Sequence, residues 1–240
     1  MGALQPITSK DTQTEEPFRR TMQQIFDFLA ALAANNNRPW FQAHRADYDA
    51  AHAQFLTTVQ DIIRRIAAFD PAVGNIEART TVFRIYRDVR FSQDKSPYKR
   101  HFGAYINPHG TKSMHGGYYL HLQPGGSFVA GGCWWFDPKV LREVRESIVL
   151  RLPEFQNIVE APAFKKAFPA IGENPLKTLP KGFPKDFPHP EYLRPRNYVV
   201  WHNLPDTTFT RTGWERTVVR YFRLMQPFMD FINDTVDDYI

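Results

Sequence analysis

The sequence predicts an α+β fold in which a largely antiparallel sheet packs against helices from both ends of the chain. Three observations predict it. Apolar residues recur at helical spacing near the front and the back, short β-prone runs cluster between them, and the connections joining those runs are too short to hold crossover helices. A doubly wound nucleotide-binding fold is therefore not expected. At 240 residues, one core can bury about 70% or more of the surface that the unfolded chain exposes. Residues 18–240 are accordingly expected to form a single domain behind a polar, aperiodic arm at 1–17.

The elements follow in order. Met22, Ile25, Leu29 and Leu32 mark the first helical face, which ends at the NNNR run and Pro39. A short helical stretch from Trp40 to Tyr48 leads to a longer one with Phe55, Val59, Ile62 and Ile66 as its apolar stripe, stopped by Asp70 and Pro71. From Arg79 the texture turns to β-prone runs: RTTVFRIY, HFGAYIN, GYYLHLQ and SFVAGGCWW. Pro124, Gly125 and Gly126 between the last two signal a hairpin. Asp137 and Pro138 then read as the cap and first position of another helix, with Leu141, Val144, Ile148 and Leu152 on its buried face. Residues 153–196 are rich in proline and read as an ordered wrap over the core, with Phe183, Phe187 and Tyr192 to pack with. NYVVWHN is a further strand. Thr212 and Glu215 have capping-box spacing, and a stripe from Trp214 to Ile232 predicts a last helix, kinked or divided at Pro227.

Composition narrows the partners. Hydrophobic residues make up 42% of the chain and aromatic ones 15%, which argues against disorder and for an aromatic core. No run is long and apolar enough to span a bilayer, and the N-terminus lacks the apolar segment of a signal peptide, so no membrane partner and a cytoplasmic location are expected. With Cys133 alone, an intrachain disulfide and a cysteine-based zinc cluster are both excluded. The formal charge is +5. Arg84, Arg87, Arg90, Lys95, Lys99, Arg100 and Lys112 stand in one segment against Asp88 and Asp94, a concentration that favours an anionic partner.

The densest polar block, Arg84 to Arg100, is the candidate site. Arg84, Arg87 and Arg90 have the chemistry to grip a phosphate or carboxylate, Lys95 and Lys99 supplement the field, and Tyr98 orients or stacks on a bound group. Asp88, Asp94 and His121 are the supporting residues, with His121 or Asp94 as a base if the protein is an enzyme. The competing reading is a salt-bridged structural loop. Neither a phosphate-binding GxxxxGK[ST] loop nor a dinucleotide GxGxxG is present.

His101, His109, His115 and His121 lack a recognised ligand spacing, so neither a metal nor another cofactor is expected. His121 should share a strand face with Tyr119, where it reads first as an ordinary hydrogen-bonded strand histidine and as a base only if that face lines a cleft. Cys133 reads as a buried, inert thiol, while Gly131 and Gly132 mark either a close approach or a bulge. Trp134, Trp135 and Phe136 offer either a stacking platform or core material, with at most alternate members on one surface. Nucleic acid is a possible partner but not the favoured one, because no recognised binding signature accompanies the charge. NNNRPW reads as a loop between helices, in which either Arg38 and Trp40 face the basic loop or Trp40, in the commoner role for such a tryptophan, anchors the helix junction.

Taken together, ANNNRPWFQAHRADYDA, FRIYRDVRFSQDKSPYKRHFGAYI and GGYYLHLQPGGSFVAGGCWWFDPKVLREVRESI resemble a widespread, mainly bacterial family of uncharacterised proteins, the domain-of-unknown-function family 2461. The similarity runs from residue 20 to about 235. The resemblance implies a compact α+β domain and supplies no accepted activity or cofactor. The family's polar block maps onto Arg84, Arg87, Asp88, Arg90, Phe91, Asp94, Lys95, Pro97, Tyr98 and Lys99, a hallmark that serves a fold as readily as a site. Two functional readings follow: a basic cleft that binds a phosphorylated or carboxylated small molecule, or a noncatalytic scaffold that meets protein or nucleic acid through a basic, aromatic surface.

Overall fold

The computed structural model describes residues 11–239. The elements run α1 (Asp11–Ala34), α2 (Arg38–Ala43), α3 (Arg45–Ala67), α4 (Ala78–Thr81), β1 (Phe102–Ile106), β2 (Gly117–Leu122), β3 (Ser127–Cys133), α5 (Pro138–Leu150), α6 (Leu152–Val159), α7 (Pro162–Ala167), α8 (Pro190–Leu193), β4 (Tyr198–Leu204) and α9 (Trp214–Tyr239). The strands form one antiparallel sheet in the order β1-β2-β3-β4, flanked by N- and C-terminal helices. The first ten residues of the expected arm lie outside the described residues.

Local chemistry accounts for most boundaries. Met22, Ile25, Leu29 and Leu32 are all buried on the inner face of α1. The Asn37 side chain accepts the Trp40 N–H, and Pro39 sits in the first turn of α2, where its missing donor costs nothing. The helix expected from Trp40 onward is broken at His44, whose φ of −110° and ψ of 27° separate α2 from α3. Phe55, Val59, Ile62 and Ile66 of α3 are fully buried. The Asp137 side chain accepts from the Lys139 N–H and so caps α5. Within the proline-rich stretch, α6, α7 and α8 each take a proline in their first turn; there proline starts helices rather than preventing them. Phe187 and Tyr192 are buried, and Phe183 packs at the core's edge. α9 continues through Pro227 and is not divided there.

Alternation along the strands gives the sheet two faces of different character. Phe102, Ala104, Ile106, Tyr118, Leu120, Leu122 and Val129 face the helices and are buried. Phe55 of α3 stacks on Phe102 at 5.3 Å, and Phe222 of α9 meets Tyr118 edge-on at 5.3 Å. Gly131 lets α9 approach, since a Cβ there would lie 2.8 Å from the Met225 sulfur. Gly132 has a φ of +122°, and its Cβ would fall 2.0 Å from the Tyr198 carbonyl oxygen. The register runs unbroken through both residues, so the pair marks close approach and not a bulge. The register sets Gly103, Tyr105, Tyr119, His121, Phe128 and Ala130 together on the opposite face.

The strand expected from Arg79 does not form. Arg79 to Thr81 belong to α4, and beyond them only isolated bridges occur, Val82 with Ala104 and Tyr86 with Tyr98. The Phe83 N–H reaches the Gly103 carbonyl, after which the chain leaves the sheet and pairs with its own return limb. Propensity was overridden by the lack of a second partner. Among the described residues, no helix is long and apolar enough to cross a membrane.

Candidate functional site

The basic block folds as a narrow finger. Arg87 donates its backbone N–H to the Pro97 carbonyl at 3.0 Å, and Lys99 donates to Ile85 at 2.8 Å, which ties the two limbs together. Asn36 holds the root: its amide donates to the Tyr98 carbonyl at 2.9 Å and its oxygen accepts the Tyr98 N–H at 3.1 Å. The Tyr98 ring is buried and stacks on Phe41 at 4.1 Å. In the NNNRPW segment the contact with the basic block is therefore made by Asn36, whereas Trp40 stacks on His44.

Most charges of the finger are satisfied within it. Arg87 donates to Asp94 at 2.7 Å, to the Ser96 hydroxyl and carbonyl, and to Ser92. The Ser96 hydroxyl and N–H, followed by Arg87, hold the Asp94 carboxyl well below the usual range, which makes it a poor base. Arg90 grips Asp88 through two nitrogens, and Lys95 donates to the Val89 carbonyl at 3.0 Å. Phe91 stands at the tip, 97% exposed.

Arg84, Lys99 and Arg100 differ from Arg87, Arg90 and Lys95. Among the described residues none of these three forms an ion pair, and Lys99 alone of them is half-buried, with its ammonium 5.2 Å from the centre of the Phe83 ring. Burial, followed by the field of Arg84, lowers the Lys99 pKa. A partly desolvated cation without a counter-ion is an unfilled electrostatic demand.

Phe83 lines a cavity of about 730 Å³ above the open face of the sheet. Tyr119, His101, His121, Phe128, Trp134 and Trp135 supply most of its ring surface, and Lys112 and Ser113 enter from the β1–β2 loop. His101 and His121 lie 4.1 Å apart, and His121 stacks on Phe128 at 4.4 Å. Burial, then His121 and Lys99, push the His101 pKa down to about 3, and burial lowers that of His121. Both rings are therefore neutral at pH 7. Tyr119 lies 3.0 Å from His121 Nδ1, and Gln123 Oε1 lies 3.3 Å from Nε2. The amide oxygen accepts only, so Nε2 carries the proton and the tyrosine hydroxyl donates to Nδ1. Burial pushes the Tyr119 pKa up to about 12, which keeps that donor protonated.

His121 and Tyr119 share a face, as the alternation required. Cys133 is buried, and its pKa is pushed up to about 12 by that burial, which leaves an unreactive thiol. Trp134 and Trp135 are 60% and 63% exposed and both line the cavity, whereas Phe136 is buried. The expectation that only alternate members share a surface fails because β3 ends at Cys133 and the pleat ends with it. Of the predicted anion ligands, Lys99 is brought beside Phe83 at the cavity margin; Arg84 is exposed and does not line the cavity, Arg87, Arg90 and Lys95 are engaged in the finger, and Tyr98 is buried in the core. Sequence reasoning gave Phe83, His101 and Lys112 no place in the site. Period-2 alternation across β1 and β2 was the available signal for His101 beside His121.

A second cluster lies where the β1–β2 loop meets α9. His115 Nε2 is 2.8 Å from Asp237 Oδ1, and the His109 ring stacks on His115 at 3.7 Å.

The profile of one protein family, described as conserved hypothetical protein (DUF2461), matches residues 24–231. No curated protein and no solved structure matches the chain.

Proposed function

The chain belongs to the DUF2461 family, and from that premise we propose that it binds a small molecule with a flat apolar body and a carboxylate or phosphate at one end. The observation that carries this reading is Lys99, a half-buried ammonium with no ion-pair partner among the described residues, beside the aromatic cavity. The ring-lined walls take up the apolar body by area burial and stacking. Lys99, beside Phe83, meets the anion at the finger end, and Lys112 lines the same cavity. The neutral His101 offers a donor and an acceptor for a polar substituent without adding charge, while His121, whose two nitrogens are engaged with Tyr119 and Gln123, offers its ring face.

Binding of 1-naphthyl phosphate, 1-naphthoate and uncharged 1-naphthalenemethanol, followed by quenching of Trp134 and Trp135 fluorescence, tests this reading. The two anions are expected to saturate and to bind about tenfold or more tightly than the alcohol, an advantage of about 1.4 kcal/mol. Lys99→Met should remove that advantage and spare the alcohol. Equal affinity for all three, or no saturation, would sink the proposal.

Phe91 supports a second reading, a partner-binding finger. A fully exposed phenylalanine flanked by Arg90 and Lys95 is the anchor expected of an interaction surface. Phe91→Ser should then abolish capture of the partner while leaving naphthyl phosphate binding unchanged; retained capture would rule the finger out.

A further inference from the structure

The loop between β1 and β2 and the last turns of α9 bring two imidazoles and a carboxylate into one small volume. The ligand atoms of His109, His115 and Asp237 all lie within 4.8 Å of one another. His115 is buried in a network that fixes its orientation. Asn107 and Tyr105 both donate to its carbonyl, at 2.9 and 3.0 Å, and its N–H donates to the Ser113 hydroxyl at 3.1 Å. That same hydroxyl lies 2.7 Å from His115 Nδ1, which leaves Nε2 facing Asp237. The Asn107 side chain also accepts the His109 N–H at 2.9 Å, so one residue organises the backbone of both histidines.

We propose that His109, His115 and Asp237 bind a divalent transition ion of the zinc class, which braces the β1–β2 loop against α9. The donor set decides the class of ion. Two imidazoles and one carboxylate suit zinc and its borderline neighbours, whereas calcium and magnesium require mostly oxygen. Ser113 supplies the outer support that ligating histidines usually have. Its hydroxyl either donates to or accepts from Nδ1, so His115 changes tautomer and frees Nε2 without losing this bond.

The displacements needed are small. Zinc bonds of about 2.0–2.1 Å at a tetrahedral angle separate a ligating nitrogen and oxygen by roughly 3.3 Å. The present His115–Asp237 separation of 2.8 Å therefore opens by about half an ångström. In the stack the lone pairs of the two rings run side by side and do not converge, so His109 must turn toward the ion. Its side chain is exposed and turns without displacing core material. Water completes the shell. Because Thr111, Lys112 and Ser113 of the same loop line the aromatic cavity, the ion would hold one of its walls.

The direct test is titration of EDTA-stripped full-length protein with Zn²⁺ by calorimetry and with Co²⁺ by visible absorption. One ion per chain is expected, with a Co²⁺ band of tetrahedral intensity. His109→Ala and Asp237→Asn, both at exposed positions, should each weaken Zn²⁺ binding by about 100-fold, and Ser113→Ala by about tenfold. Unchanged urea midpoints of the metal-free variants verify that they fold. His101→Gln should leave binding intact. Absence of saturable binding in the parent protein would overturn the proposal, as would full retention in His109→Ala and Asp237→Asn or loss in His101→Gln.

Discussion

The finger and the cavity above the sheet invert the usual relation between charge in a sequence and charge available to a ligand. The finger has the higher density, yet Arg87, Arg90 and Lys95 are committed to Asp94, Asp88 and the Val89 carbonyl. The cavity has few charged groups at its margin, but Lys99 there is partly desolvated and without an ion-pair partner among the described residues. What matters for binding is the charge left after local pairing, and pairing over a few residues is cheap where a tight loop brings both signs together. The exposed pairs of the finger contribute little to global stability, whereas desolvation at the cavity raises the energetic value of each remaining polar group.

This contrast can be broken most forcefully at the floor of the cavity. Gly132→Ala places a methyl group against the Tyr198 carbonyl at a φ that L-residues rarely adopt. The expected cost is about 3 kcal/mol or more, read as a lower urea midpoint. An effect under about 1 kcal/mol would mean that β3 and β4 pair less tightly than described. No finger substitution should approach this size.

The next effect concerns pH. His101 and His121 have folded pKa values below the unfolded value of about 6.5. In acid the unfolded chain takes up protons that the folded chain refuses, so their contribution to stability falls as pH drops below about 6.5. Asp230 acts in the opposite direction, since burial raises its pKa to about 6 and it binds a proton in the folded state first. The diagnostic quantity is therefore the difference between parent and His101→Gln. Between about pH 6 and 4 the parent should lose stability faster by up to about 1.4 kcal/mol per pH unit. Parallel curves would place His101 in water.

Smaller effects belong to the finger. Arg87→Met removes several hydrogen bonds around a partly exposed side chain, at an expected global cost of about 1 kcal/mol or less. Amide exchange across residues 85–99 should accelerate while the naphthyl phosphate affinity stays the same; weakened binding would join the finger to the cavity as one site. Asp94→Asn should have the smallest effect. The Asp94 pKa is depressed in the folded state, so its contribution is present above the unfolded value of about 3.9 and disappears as pH falls. Finger protection in the parent should converge on that of Asp94→Asn in strong acid, and a persistent difference there would assign the effect to Asn itself.

Fold and site were unequally legible in the sequence. β1 to β4 appeared as β-prone runs because one buried face imposes alternation, and the Pro-Gly-Gly turn fixed the central hairpin. The edge segment after Arg79 had the same residue preferences and lacked a second neighbour, which propensity alone does not reveal. At the site, the charged block was conspicuous, but the pairing that consumes most of it depends on how the loop closes. The cavity instead needs the register that sets His101 beside His121, and the second cluster needs Asp237, which lies 122 positions from His115. Such distant convergence leaves no local periodicity to read.

The paired hydrogen bonds of Asn36 to Tyr98 also bear on the order of folding. They join positions 62 residues apart and give the root of the finger the two bonds that a neighbouring strand would otherwise supply. Closing that loop carries an entropic cost which the finger's own short-range pairs do not offset. The finger should therefore acquire its register after the junction of α1 and α2 has docked, a late step in the assembly of the chain. In a ϕ-value series, Asn36→Ala should accelerate unfolding and leave the folding rate nearly unchanged.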